Sequence, residues 1–167
     1  QVKHWKEIAR ERGDKLADVP KHLQKEKEIV LAAVRKFGIA LQYADPEFKK
    51  DPEVVLTAVQ NNGGSLRYAA DEFKDDKHIV LIAVSNFGQS LYDTSLRLKN
   101  DKDVVLAAVS KDGLALKYAS PELKKDKEVV LTAVLQNHRA FEFASNELKD
   151  DQDITLSLLK SLTSRNF

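Results

Sequence analysis

The chain has 167 residues, 43% hydrophobic and 32% charged, which is typical of a folded protein with a substantial core. Its 27 basic and 26 acidic side chains are interspersed, so no concentrated basic face for nucleic acid is expected. Cysteine is absent, which excludes disulfides, thiol nucleophiles and cysteine-ligated metal. There is no apolar run of the ~20 residues that span a bilayer and no signal-peptide-like segment, so we expect a soluble chain of undetermined compartment. Because methionine is absent even at position 1, we expect a fragment of a longer protein.

The sequence repeats with a period of 25 residues, without insertion or deletion. Leucine recurs at 31, 56, 81, 106, 131 and 156, and glycine at 38, 63, 88 and 113. A fixed period of this length is typical of solenoids, in which each unit buries its apolar face against its neighbours. We therefore predict an all-α solenoid of about six 25-residue repeats, each with one longer helix and one or two short ones. The units start near residues 26, 51, 76, 101, 126 and 151, after a partial first unit over 1–25, and together form one tandem-repeat domain over 1–167.

The partial first unit carries Trp5, Ile8 and Ala9 as the apolar residues of an incomplete helix. Each later unit opens with an acidic residue, which is typical of a helix N-cap because its side chain can accept hydrogen bonds from free backbone donors. These residues are Glu26, Asp51, Asp76, Asp101, Asp126 and Asp151. The helix that follows has one apolar face, as in Val54, Val55, Ala58 and Val59.

The recurrent glycine about ten residues later predicts a left-handed helix stop, and His138 replaces it in one unit. A second short helix carries a Leu-x-Tyr-Ala pattern, whose tyrosines we expect to pack between adjacent units. A third turn begins with a cap and a proline at Pro46 and Pro121. It ends on an inward apolar side chain, which is Phe48, Phe73, Leu98, Leu123 or Leu148. The last helix, with Ile154 and Leu156 to Leu162, is expected to cover the final open face.

The run GLALKYASPELKKDKEVVLTAV at 113–134 resembles the consensus of a tandem repeat found in bacteria and protists. That family is known only as a domain of unknown function, numbered forty-one sixteen. The resemblance extends over about residues 26 to 156, and its elements recur four or five times. It implies a helical repeat module embedded in larger proteins, with no known catalytic residues. The third unit departs from the pattern at Tyr92-Asp93-Thr94 and at Arg97, so its packing is the least determined.

No residue pattern indicates catalysis, a cofactor or a metal. The histidines His4, His22, His78 and His138 fall in four different columns of the repeat and have no zinc-ligand spacing. Acidic pairs such as Asp75-Asp76 lack the central glycine and closing glutamate of a calcium loop, so helix capping explains them better. We therefore expect a protein that is not an enzyme.

A lysine ends the third turn of each unit, and we name this set the lysine column. It comprises Lys49, Lys74, Lys99, Lys124 and Lys149. One interpretation is an anion-binding stripe for acidic proteins or lipid headgroups. The other is that each lysine neutralises acids of its own loop, such as Glu47 or Asp51, or shields apolar neighbours. The net charge of +1 favours the second interpretation.

The seventh and tenth residues of each unit vary, and they lie together on the first helix, away from its valine face. We name this set the variable stripe. It comprises Thr57, Gln60, Ile82, Ser85, Ala107, Ser110, Thr132 and Leu135. Its apolar members Ile82 and Leu135 are the candidate partner contacts, although single surface hydrophobic residues are also normal. The leading hypothesis is a non-catalytic scaffold that binds another protein or acts as a spacer. The alternative is an anion- or membrane-surface-binding module that uses the lysine column.

Overall fold

A computed structural model describes residues 1–163, and within that range the chain is helical and contains no β-strand. The prediction of an all-α repeat solenoid is confirmed. The chain divides into two compact units, Gln1–Asn86 and Phe87–Phe167, so a single domain over 1–167 stays a prediction. In both units the ten-residue helices begin 25 residues apart, in the frame that the sequence predicts.

The elements of the first compact unit are, in chain order, α1 (Val2–Glu11), a 3₁₀ helix (Gly13–Asp18), α2 (Lys27–Lys36), 3₁₀ helices (Gly38–Tyr43 and Phe48–Lys50), α3 (Pro52–Asn61), a 3₁₀ helix (Gly63–Tyr68), α4 (Asp71–Lys74) and α5 (Lys77–Asn86). The elements of the second are a 3₁₀ helix (Gly88–Asp93), α6 (Leu96–Lys99), α7 (Lys102–Lys111), 3₁₀ helices (Gly113–Tyr118 and Leu123–Lys125), α8 (Lys127–Gln136), a 3₁₀ helix (His138–Phe143), α9 (Asn146–Lys149) and α10 (Gln152–Thr163).

The acidic N-caps form as predicted in every complete unit except the one that begins at Glu26. Asp51 Oδ1 accepts hydrogen bonds from the backbone N–H groups of Glu53 at 3.0 Å and Val54 at 3.2 Å. The same carboxylate caps are present at Asp76, Asp101, Asp126 and Asp151. The prediction is wrong at Glu26, whose side chain makes no cap hydrogen bond. Glutamate is not among the favoured N-cap residues, because its carboxylate lies one methylene farther from the backbone than that of aspartate.

The core is built from four positions of each long helix between the two terminal ones. In α3 these are Val54, Val55, Ala58 and Val59, each with no exposed surface. Helix α3 packs on α2, which buries its own residues at the same positions, so the valine–alanine face is shared between successive repeats. Fully burying one such valine stabilises the fold by roughly 1.5 kcal/mol or more.

The glycines do not act as left-handed stops, so that prediction is wrong. No residue in the described range, glycine or otherwise, has a positive φ, and His138 therefore does not stand in for one. Glycine is needed for close approach instead. A Cβ at Gly38 would collide with the backbone carbonyl oxygen of Ala58, and one at Gly113 with that of Ala133. The glycine thus lets the end of one repeat lie directly on the helix of the next.

The short elements also link successive repeats. A side chain caps the turn after several of the 3₁₀ helices, as where Ser120 Oγ accepts from Leu123 N at 3.2 Å, whereas Ala70 makes no side-chain cap. Just ahead of this turn, Ala70 N donates to the carbonyl oxygen of Lys49 at 2.9 Å, and Ser145 N donates to that of Lys124 at 3.0 Å. Backbone N–H groups of one repeat therefore provide hydrogen bonds for backbone carbonyl oxygens of the previous repeat.

The two terminal helices bury only part of their apolar side chains. In α1, Ala9 is fully buried while Trp5 and Ile8 are half-buried. In α10, which packs on α8, Ile154 is fully buried but Leu159 is 54% exposed. Leu156 and Leu162 are exposed as well. The prediction that α10 covers the final open face is therefore only half right, because its outer side carries leucines in place of polar residues.

Candidate functional site

The variable stripe of the first compact unit is a polar surface with one apolar member. Gln60 and Ser85 are exposed, while Thr57 and Ile82 are half-buried. The hydroxyl of Thr57 donates to the carbonyl oxygen of Glu53 at 2.7 Å. Because that bond lies within its own helix, Thr57 offers a partner mainly its methyl group. Ile82 keeps part of its surface in contact with neighbouring side chains.

In the second compact unit the variable stripe carries its most exposed apolar residue. Ser110 is exposed and Ala107 is half-buried. The hydroxyl of Thr132 donates to Glu128 O at 2.8 Å, as Thr57 does in the first unit. Leu135 is 64% exposed, although it stands on the same helix as four fully buried residues. Leu135 is thus the strongest candidate for an apolar partner contact on the stripe.

The lysine column is half-buried, and the ammonium groups of Lys49, Lys74, Lys99 and Lys124 have contacts within the chain. Lys49 Nζ donates to the carbonyl oxygen of Gln42 at 2.9 Å, and Lys124 Nζ to that of Lys117 at 2.8 Å. Lys74 Nζ lies 3.2 Å from a carboxylate oxygen of Asp71, and Lys99 Nζ lies 5.6 Å from the centre of the Tyr92 ring. Burial lowers the pKa of Lys124. Lys49 and Lys124 therefore bond the C-terminal end of the 3₁₀ helix that precedes them, while Lys74 and Lys99 contact side chains.

Sequence reasoning missed a set of ion pairs between repeats, which we name the ion-pair ladder. The lysine at the second position of one unit reaches the acids at the first and third positions of the next. Lys27 Nζ lies 2.8 Å from Asp51 Oδ2 and 2.9 Å from Glu53 Oε2. Lys102 does the same with Asp126 and Glu128, and Lys127 with Asp151 and Asp153. The signal was the recurrent Asp-Lys-Glu-Val-Val run, which we interpreted as capping alone.

The ladder shifts the pKa values of its members. Hydrogen bonds to Asp51 and Glu53 raise the pKa of Lys27 above its usual value. Partial burial pushes the pKa of Asp51 upward, but hydrogen bonds from Lys27 and from backbone N–H groups outweigh it, so the net pKa is lowered. At Asp151 the hydrogen bond from Lys127 is the largest cause of the same lowering. The ladder is therefore an electrostatic contact between repeats, formed by half-buried aspartates and more exposed partners.

A second missed contact is a side-chain amide at the eleventh position, which we name the amide clamp. Asn61 Nδ2 donates to the carbonyl oxygen of Arg35 at 3.0 Å, and its Oδ1 accepts from Gly38 N at 2.6 Å. Gln136 clamps Lys111 O and Gly113 N in the same way, and Asn86 Nδ2 donates to Gln60 O. The clamp therefore gives hydrogen-bond partners to backbone groups at the end of one long helix, where the glycine lets the next repeat approach closely.

Two surface depressions accompany these contacts. One, of about 190 Å³, lies between α1 and α2, and we name it the basic cleft. It is lined by Lys6, Arg10, Glu28, Ala32, Arg35 and Lys36. The other, of about 490 Å³, lies on α10 beside Leu156 and Leu159. Arg10 and Arg35 occupy the tenth position of their units, so the basic cleft uses the helix face of the variable stripe. The two arginines at the tenth position were the sequence signal for this cleft, and sequence reasoning missed them.

The tyrosines are surface residues more than core residues. Tyr43 is exposed, and Tyr68 and Tyr118 are half-buried. In the irregular third unit, Tyr92 stacks edge-on against Tyr118 with ring centres 5.1 Å apart. Lys117 Nζ lies 4.6 Å from the Tyr118 ring centre, an arrangement favourable for a cation–π contact. The third unit keeps the same elements as its neighbours despite its altered sequence.

Within residues 1–163, no three His, Asp or Glu side chains converge in a way that could hold a metal ion. None of the helices in that part of the chain combines the length and apolar character needed to cross a membrane.

A family model described as a domain of unknown function (DUF4116) matches the chain in overlapping segments, over residues 6–49, 26–74, 51–99, 76–124 and 126–163. The overlaps follow the 25-residue frame, and each match spans about two units. No curated protein and no solved structure significantly matches the chain.

Proposed function

The chain belongs to the DUF4116 family, and from that premise we propose that it is a non-catalytic scaffold that binds another protein or spaces parts of a larger one. Repeats that share one packing scheme keep their buried positions and can vary their exposed ones, so recognition is expected on the exposed columns.

The observation that carries the proposal is the contrast between neighbouring columns of one helix. In α8, Val129, Val130, Ala133 and Val134 have no exposed surface, while Leu135 is 64% exposed. Covering a large apolar side chain with a partner lowers the free energy of the complex. At this position the fold itself leaves the side chain uncovered. The polar members of the stripe around the helices supply the hydrogen-bonding groups of a typical interface rim.

Site-specific photo-crosslinking tests the proposal. A photoreactive residue at Leu135 should yield a specific cross-linked protein in an extract of the source cells. The matched control carries the same residue at Leu96, which is 83% exposed but lies on the short helix α6, off the stripe. Leu135→Ser should abolish capture when the photoreactive residue is moved to Ser110. Equal labelling from Leu135 and Leu96 would contradict binding by the stripe.

The alternative is binding of anions or membrane surfaces by the lysine column. The side-chain contacts favour it less, because Lys49 and Lys124 would have to leave their backbone carbonyl partners. Sedimentation with anionic liposomes at low and high salt distinguishes the two, since electrostatic adsorption weakens strongly with salt. Salt-sensitive binding that is lost in Lys49→Gln and Lys124→Gln variants would favour the alternative.

A further inference from the structure

We propose that the basic cleft between α1 and α2 binds an acidic segment of a protein partner. This inference rests on the proposed function and names the partner chemistry that the first compact unit would recognise.

The cleft holds cations that the fold leaves without partners. Its one acid, Glu28, is already bonded to Lys6 at 2.6 Å, and that hydrogen bond lowers the pKa of Glu28. Within residues 1–163, the side chains of Arg10, Arg35 and Lys36 make no hydrogen bond or ion pair. Three positive groups therefore line one depression with no carboxylate of their own.

Five other lysines, in the ladder and the lysine column, are used differently. The ladder lysines Lys27, Lys102 and Lys127 each hold two carboxylates, and Lys49 and Lys124 hold backbone carbonyls. At the tenth position, the four units that follow Arg35 carry uncharged side chains. These are Gln60, Ser85, Ser110 and Leu135. The unpaired positive charge on this column is thus concentrated at α1 and α2.

The shape and size of the cleft favour a carboxylate-bearing peptide. An arginine guanidinium matches a carboxylate in a two-bond fork, and two arginines line this cleft. Ala32 contributes an apolar floor on which the stem of a bound side chain can lie. A nucleic acid or a membrane surface needs a broad positive face, whereas this chain has a net charge of +1 and the basic cleft is small, at about 190 Å³.

Fluorescence anisotropy with a labelled peptide of alternating Glu and Gly residues tests the inference. The wild type should bind the peptide at low salt, and Arg10→Gln combined with Arg35→Gln should weaken binding roughly three- to tenfold. The matched control combines Lys111→Gln with Lys125→Gln, which removes the same charge from two exposed lysines in the second compact unit. Circular dichroism checks that both double variants are folded. Amide chemical shifts should move in α1 and α2 of the wild type.

Equal loss of affinity in the two double variants would overturn the inference, because the affinity would then depend on the net charge of the protein and not on the cleft. Phosphatidylserine vesicles or inorganic phosphate that bind through the same arginines while the peptide does not would overturn it too. The two proposals fail separately. Loss of the Leu135 cross-link would end the proposed function and leave peptide binding measurable, while unaffected binding by the arginine variant would end this inference alone.

Discussion

The contact between α2 and α3 and the contact between α3 and α5 have the same core but different polar surfaces. Both bury valine and alanine at the same helix positions, and both have an amide clamp, from Asn61 and Asn86. At the first contact Lys27 bridges Asp51 and Glu53. At the second, Pro52 stands in the place of Lys27 and His78 in the place of Glu53, so the ladder pair cannot form.

The comparison teaches which contacts the repeat requires. The chain tolerates loss of the ion pairs at one contact between repeats, but it keeps the apolar columns at both. Exposed ion pairs contribute about 0.2–1 kcal/mol each, whereas each buried valine contributes more, so the core is expected to dominate. The predictions that follow remove one kind of contact at a time, beginning with the largest effect.

Val55→Asp should cost about 4 kcal/mol or more of unfolding free energy, because it places a charge at a site with no exposed surface. Equilibrium urea unfolding followed by circular dichroism measures the loss. Thr155→Asp is the matched control, since Thr155 occupies the same repeat position in α10 but is exposed. That control should change stability by less than about 0.5 kcal/mol. A similar loss in both variants would refute the view that this column acts through burial.

Gly38→Ala should cost about 2 kcal/mol, because its Cβ would meet the carbonyl oxygen of Ala58 and force α2 and α3 apart. Gly64→Ala is the comparison, since Gly64 is only half-buried and other units carry a side chain at its position, as in Ile39 and Leu114. Urea midpoints should therefore fall further for Gly38→Ala. If Gly38→Ala were as stable as the wild type, close backbone approach would not explain the recurrent glycine.

Most of the fold could be predicted from the sequence, because helical repeats show their packing as a period. The columns of Val54, Val55 and Ala58 and the cap at Asp51 follow from local rules on amphipathic faces and helix ends. The glycine was misinterpreted because a left-handed φ and a close approach both select glycine. Only the position of the Ala58 carbonyl separates the two causes, and that position depends on the neighbouring repeat.

The candidate site was less predictable, because its contacts join residues about one repeat apart. Lys27 and Asp51 look like ordinary surface charges until the stacking brings them together. Arg10 and Arg35 share a column of the repeat, yet their lack of partners depends on where Glu28 and Lys6 lie. The exposure of Leu135, in contrast, was expected from its column alone.

Ser65→Ala should stabilise the protein by about 1 kcal/mol. Ser65 lies fully buried in the 3₁₀ helix Gly63–Tyr68, which packs on α3, and its Oγ has no hydrogen-bond partner among the described residues. An unsatisfied buried hydroxyl is costly, and Ala40 and Ala115 fill the same position in other units. Ser90→Ala tests the second such hydroxyl and should behave alike. A loss of thermal stability in both variants would show that the hydroxyls are satisfied in solution.

Acid should weaken the α2–α3 contact through Asp51. Its pKa is lowered in the folded state, so the unfolded chain binds the proton more readily and stability rises with pH. The contribution is complete above the ordinary aspartate pKa of about 3.9 and disappears as pH falls through the lower folded-state value. Asp51→Asn keeps a cap but loses the charge. Its urea midpoint should lie slightly below that of the wild type at pH 6 and converge with it near pH 3, whereas a constant difference would contradict the ion-pair explanation.

Lys27→Gln should have the smallest effect, a slight fall in the urea midpoint at low salt. The side chain of Lys27 is 40% exposed, so water already screens most of its attraction to Asp51 and Glu53. At 1 M NaCl the wild type and the variant should unfold at the same urea concentration, because the screening length falls to about 3 Å. The α3–α5 contact, with Pro52 at this position, exists without the pair. A fall in the urea midpoint as large as that of Gly38→Ala, persisting in high salt, would reverse the comparison. The ladder would then hold α2 to α3 as firmly as the core does.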